Sequence, residues 1–162
     1  MYQENEKKLY ALLQELGIVY ERHEHPPVYT VEEAKEYWSD IDGAHAKNLF
    51  LRNNKGNRHY LIVLEDSKSA DLSGLAEKLA SGKLSFASER RLQENLGLES
   101  GAVSPFGLIN DQNKSVTVVI DRDLTRQDKV NFHPNVNTAT VTLSYHDFEK
   151  FLKHCGNEVV LI

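Results

Sequence analysis

Cysteine occurs once in the 162 residues, at Cys155, so no disulfide can close within the chain and a reducing compartment is expected. No apolar run approaches the roughly 20 residues of a membrane span, and Met1 to Lys8 lacks the apolar stretch of a secretory signal. Positive charge is also short, with 19 Lys and Arg against 24 Asp and Glu, a net charge of −5. Non-specific coating of a duplex rests on a broad basic surface, so the balance argues against that activity. A local patch can still hold one end of a nucleic acid. Lys78, Lys83, Arg90 and Arg91, or Arg122, Arg126 and Lys129, are the candidate clusters.

Several chemical signatures are missing too. The chain has no Gly-x-Ser-x-Gly elbow, no His-Glu-x-x-His, no Walker-type loop and no Gly-x-Gly-x-x-Gly. That argues against a serine hydrolase, a zincin, a P-loop enzyme and a dinucleotide binder. Seven histidines, among them His23, His25, His45 and His133, lack a cysteine partner set and any ligand spacing. Neither a metal nor a cofactor is expected.

What is present describes an ordinary soluble domain. With 40% hydrophobic and 27% charged residues, the chain can bury roughly 70% of its unfolded surface. Residues 1–162 read as one unit, without repeats or linkers. Leu9, Leu12, Leu13 and Leu16 lie on one helical face that Gly17 ends. Ile18 to Arg22 reads as a strand, His25-Pro26-Pro27 as extended chain, and Thr30 with Glu33 as a capping box opening a helix over 31–37. Ala46 to Arg52 and His59 to Glu65 flank a polar five-residue turn, the pattern of a hairpin. Helices are expected over 71–81, ended by Gly82, over 88–96, ended by Gly97, and from Ser144 to Cys155. Strands are expected at Phe106 to Ile109, Val116 to Ile120, Thr138 to Leu143 and Val159 to Ile162, the last at a sheet edge. Strands and helices do not alternate regularly, which favours a mixed or mostly antiparallel sheet with flanking helices.

Three segments carry possible chemistry. Lys47 stands at the start of an apolar strand and shares a face with Leu49 and Leu51. A long cation there either meets solvent or serves an anionic ligand or developing oxyanion. Ser100-Gly101-Ala102-Val103-Ser104-Pro105-Phe106-Gly107 is a shaped loop: glycine permits close backbone approach and proline fixes the exit. Its backbone N–H groups can cradle an anion or carbonyl, or the loop is an ordinary turn. His133-Pro134-Asn135-Val136-Asn137-Thr138-Ala139-Thr140 is a polar, stiffened turn that can orient a small polar substrate or simply cap itself.

In this order the three segments resemble the prolyl-tRNA synthetase-associated editing domain, also called the YbaK family. The resemblance runs from about Leu9 to Phe151 and includes a Gly-x-x-x-Pro motif at Gly101 to Pro105. His25-Pro26-Pro27-Val28-Tyr29-Thr30 and Asn137-Thr138-Ala139-Thr140-Val141 look most like the free-standing deacylases that clear alanine from proline tRNA. The resemblance implies a mixed α/β (α+β) fold with a highly curved sheet and, with no synthetase body in the sequence, hydrolysis of a mischarged aminoacyl ester in trans in the cytoplasm. The implied partners are the acceptor end of proline tRNA and prolyl-tRNA synthetase. On this reading Lys47 and Gly101 carry the chemistry. Ala102, Val103, Ser104, Pro105, Phe106, Gly107, His133, Asn137, Thr140, Tyr29 and Val31 hold or line the substrate. A deacylase for cysteine or serine, and a non-catalytic tRNA- or synthetase-binding module, are the alternatives.

Overall fold

Side-chain caps start five of the six α-helices in the computed structural model, which describes residues 3–162, the side chain of Val31 excepted. In chain order the elements are α1 (Glu4–Glu15), β1 (Tyr20–Glu24), α2 (Val31–Trp38), β2 (Ala44–Asn53), β3 (His59–Glu65), α3 (Leu72–Leu79) and β4 (Leu84–Phe86). Then follow α4 (Glu89–Leu96), β5 (Val116–Ile120), α5 (Arg122–Thr125), β6 (Lys129–Phe132), β7 (Ala139–Ser144), α6 (Tyr145–Cys155) and β8 (Val159–Leu161). Thr30, Asp71, Ser88, Asp121 and Ser144 each accept a hydrogen bond from a first-turn N–H, and left-handed Gly97 and Gly156 end α4 and α6.

Three expectations need correction. Phe106 to Ile109 is not a strand: residues 105–110 form a 3₁₀ helix. Pro105 takes its first position, and the Ser104 hydroxyl accepts from the Phe106 N–H at 3.1 Å. The first strand begins at Tyr20 rather than Ile18, because the Ile18 N–H still donates to Leu13 and closes α1. Helix α3 ends on left-handed Ala80 (φ 50°), two residues before Gly82, and the chain then turns to bury Leu84 in β4. Strands β4 and β6 and the short α5 are additional to the expected elements.

The strands join in one eight-stranded mixed sheet of order β1-β7-β6-β2-β3-β5-β8, with β4 also paired to β2. Strand β2 organises it. One edge pairs with β3 from Ala46 to Arg52. The other edge pairs with β6 at Ala44 and His45 and with β4 at Leu51 to Asn53, so the stretch between has no strand partner there. Alternation gives each face of β2 its own core. Ala46 and Phe50 enter the larger one, with Leu9, Phe106, Phe148 and Phe151; Leu51 enters the smaller one, with Ile62, Leu64, Leu75 and Leu84. Each fully buried leucine or phenylalanine contributes about 1.5–3 kcal/mol relative to exposure. Among the described residues, no helix is long and apolar enough to cross a membrane.

Candidate active site

The face of the sheet turned away from the larger core is polar over β1, β7, β6 and the first half of β2. Val130, Phe132, Val141 and Leu143 fill the larger core. Their neighbours Asn131, Thr140 and Thr142 therefore point to the other face, as do His45 and Lys47 on β2. Asn131 and Thr142 hydrogen-bond to each other, and the Asn131 amide also donates to the Asp42 and Ala44 carbonyls, tying down the entry to β2. Helix α2 supplies the rings that cover this face. Trp38 stacks on His45 at 4.4 Å between centroids, and Tyr37 stacks on His25 at 5.4 Å.

His25 and His133 sit side by side on this face, their ring centroids 6.1 Å apart. His25 Nε2 lies 2.9 Å from the Thr140 hydroxyl, and His133 Nδ1 lies 3.0 Å from the Ala139 carbonyl oxygen. Burial lowers the His133 pKa below its ordinary value; the Ala139 carbonyl opposes that shift, and the charge of His25 adds to it. The imidazole is thus kept neutral near pH 7. Thr140 is buried and meets this face through its hydrogen bond to His25. Lys47 is half-buried on the same face, opposite Leu64 of β3. Carried two residues past its last pair, the β2–β6 register brings Lys47 level with His133, where the strands have parted. Among the described residues Lys47 makes no hydrogen bond or ion pair, so its ammonium is available to a ligand.

A second part of the site is an open cleft of about 880 Å³. Gly101 and Ala102 form one wall, Tyr29 and Asn137 another, and the outer rim comes from α4. The Asn137 amide donates to the Val28 carbonyl at 3.4 Å, which joins the 133–140 turn to the segment carrying Tyr29. That segment starts at His25, so it connects the cleft to the imidazole pair. A methyl group added at Gly101 would lie 3.1 Å from Tyr29 Cδ1 and 3.2 Å from Asn137 Nδ2, so only glycine lets these walls meet the loop without displacement.

The expected site residues thus divide. Gly101, Ala102, Tyr29 and Asn137 line the cleft; Lys47, His133 and Thr140 lie on the polar sheet face. Val103 is half-buried against the larger core. Ser104, Pro105, Phe106 and Gly107 are buried and support the loop from beneath, with Phe106 edge-on to Phe151 at 5.1 Å. The side chain of Val31 lies outside the described residues. Asn135 and Val136 also line the cleft, and His25 belongs to the imidazole pair, although none of the three was assigned a role from sequence. Asn135 is buried at φ 66°, with its amide donating to the Phe106 carbonyl at 3.3 Å. A His-Pro-Asn run was the available signal, since asparagine tolerates the left-handed turn. The lone thiol is remote from this chemistry: burial pushes Cys155 up to about 12, and it is inert as a nucleophile.

A mixed sheet with a glycine-walled cleft at one end and a lysine and an imidazole pair on its polar face defines the class by fold and polar groups. The comparisons give that class its family. The aminoacyl-tRNA editing domain model matches residues 25–151, and the chain belongs to this family of aminoacyl-tRNA hydrolases. It is 51% identical over 149 residues to the prolyl-tRNA editing protein ProX of Acetoanaerobium sticklandii, covering 91% of this chain and 90% of that one. It is 29% identical over 145 residues to the multifunctional Ser/Thr-tRNA deacylase ProXp-y of Escherichia coli, covering 88% and 84% respectively. The solved structure of a candidate trans-editing enzyme for prolyl tRNA synthetase shares the fold, with a TM-score of 0.74 at 22% identity over 99% of this chain and 97% of that one.

Proposed function

We propose that the protein hydrolyses, in trans, the ester of proline tRNA mischarged with alanine, and spares the prolyl ester. The observation that carries this reading is the Gly101 cleft, connected through the His25–Tyr29 segment to the face that bears Lys47 and His133. Its support is the family, together with the relative named for prolyl-tRNA editing. The single domain over 1–162 carries the whole activity. An aminoacyl ester needs no enzyme nucleophile, and the hydroxyls of the loop are engaged: Ser100 donates to Glu89 at 2.9 Å and Ser104 caps the 3₁₀ helix, while the lone thiol, Cys155, is buried.

The Lys47 ammonium stabilises the negative charge that develops on the ester oxygen, and the Gly101 backbone N–H in the cleft wall holds the aminoacyl carbonyl, the Ala102 N–H being donated to the Glu99 carbonyl. Neutral His133 and the Asn137 amide position the acceptor end, with Thr140 orienting His25 beside them. Selectivity is steric. A methylene is worth only about 1–3 kcal/mol of attraction, whereas a closely packed pocket sized for a methyl side chain rejects a pyrrolidine ring.

A second reading, removal of serine, is favoured by the relative named as a Ser/Thr-tRNA deacylase. Initial rates on proline tRNA charged in turn with alanine, serine, cysteine and proline separate the readings. Fast release of alanine with little of proline is the expected result. Preference for the seryl ester would establish the second reading, equal alanyl and prolyl rates would remove the size filter, and binding without turnover would identify a non-catalytic module.

A further inference from the structure

We propose that Tyr29 is the platform on which the terminal nucleobase of the acceptor end stacks, an inference that rests on the function proposed above. Tyr29 is 72% exposed, yet the peptide group that precedes it is held at both ends. Its N–H donates to Glu33 Oε2 at 2.9 Å, within the capping box of α2. Val28, just before it, is 4% exposed and receives the Asn137 amide through its carbonyl. Among the described residues the other exposed large hydrophobic side chains, Val19, Phe86, Val159 and Leu161, are not in the cleft. Tyr29 alone of this group lines it. One edge of the ring rests against Gly101 and the ring lines the cleft, while most of its surface is exposed.

The charges around the cleft indicate which part of an RNA end belongs there. Glu89, Glu94 and Glu99 line it with a single guanidinium, Arg90, whose Nε lies 3.7 Å from Glu94. A phosphate is repelled by such a wall. A neutral base and a protonated aminoacyl amine are both accommodated. A volume of about 880 Å³ suits one nucleoside and a small ester group. Bases of single-stranded ends are recognised by stacking on aromatic rings, because every base offers a π face. The ring therefore anchors the base, which leaves the aminoacyl group to extend past Gly101 toward Lys47.

The test uses the full chain with Tyr29→Ala and Tyr29→Phe. A stacked base contributes about 1–3 kcal/mol, so Tyr29→Ala should lower kcat/KM on alanyl-tRNA by roughly 5- to 150-fold. Tyr29→Phe should stay within about twofold of wild type. Circular dichroism and Tm of both variants should match wild type, so that a loss is not unfolding. An uncharged acceptor-stem RNA with 2-aminopurine as its last base should be quenched by wild type and Tyr29→Phe, but not by Tyr29→Ala. Quenching that persists in Tyr29→Ala, or an unchanged kcat/KM, would overturn the proposal. So would absence of RNA binding, which would leave the ring as a contact for a protein partner. If wild type quenches the probe but deacylates no charged tRNA, the functional reading fails and the stacking site stands.

Discussion

Gly101 and Gly107 lie six residues apart in one loop, and alanine at each should do opposite things. At Gly107 an added methyl group would lie 2.6 Å from Leu98 Cδ1, 3.0 Å from Leu98 Cγ and 3.2 Å from Leu96 Cβ. Leu96 and Leu98 are at most 1% exposed, so neither can move aside freely. Overpacking of this kind costs about 1–3 kcal/mol. In a domain of this length, 1 kcal/mol lowers Tm by roughly 2–4 °C, so Gly107→Ala should melt about 2–12 °C below wild type. At Gly101 the methyl meets the Tyr29 ring at 3.1 Å, and that ring can swing into solvent. Gly101→Ala should therefore lose less than about 1 kcal/mol of stability, as surface changes do. The swing moves the cleft wall, however, and a displacement near 1 Å can cost up to about 10²-fold. Its kcat/KM should fall roughly 10- to 100-fold. Thermal unfolding beside initial rates at 25 °C gives both numbers for both variants. Wild-type turnover by Gly101→Ala, or melting of Gly107→Ala within about 1 °C of wild type, would refute the division between cleft wall and buried support.

Lys47→Ala should reduce deacylation by about 10²-fold with unchanged circular dichroism, and near-normal turnover would make Lys47 an ordinary solvated strand charge. Glu6 is 2% exposed and accepts from Tyr10 and from Arg22 at 2.8–3.0 Å; Glu6→Ala should cost about 3–5 kcal/mol in urea denaturation, toward the low end because Glu24 lies 3.9 Å from Arg22. Asp66 is pushed up to about 6, from 3.8, by burial and by neighbouring Glu65. A raised carboxyl contributes stability that is present below 3.8 and lost as pH rises through about 6. Asp66→Asn should therefore raise Tm at pH 7.5 and change it little at pH 4, whereas an equal effect at both would show that Asp66 does not titrate in this way.

Most elements were legible because their signals are local. Leu9, Leu12, Leu13 and Leu16 mark a helix by spacing alone, and Ser88 with Gly97 brackets α4 to the residue. The apolar run Phe106 to Ile109 misled because a short buried run has no period that separates strand from tight helix. What decides it is a Ser104 hydroxyl and an inflexible proline. Strand β6 is four residues, and only its pairing with β2 and β7, distant in sequence, makes it a strand. The site divided in the same way. Gly101 and Lys47 announce themselves by residue type in an unusual place. His25 and Asn135 do not, because their roles come from partners more than twenty-five residues away, Thr140 and Phe106.

The double membership of β2 restricts how the chain can vary in length. Phe50 and Leu51 anchor the strand into cores on its two sides at 5% and 0% exposure, so its register is pegged from both faces. Inserting or deleting one residue between Lys47 and Phe50 would send Lys47 to the face it now turns away from. The cation can be exchanged for another residue at little cost to folding, but it cannot be shifted along the strand. Length changes are confined to the exposed 54–58 turn, where no side chain of the site is carried. Chains with this architecture can therefore drift freely in composition and hardly at all in spacing, and a one-residue gap within β2 would mark a descendant that has given up the chemistry while keeping the shape.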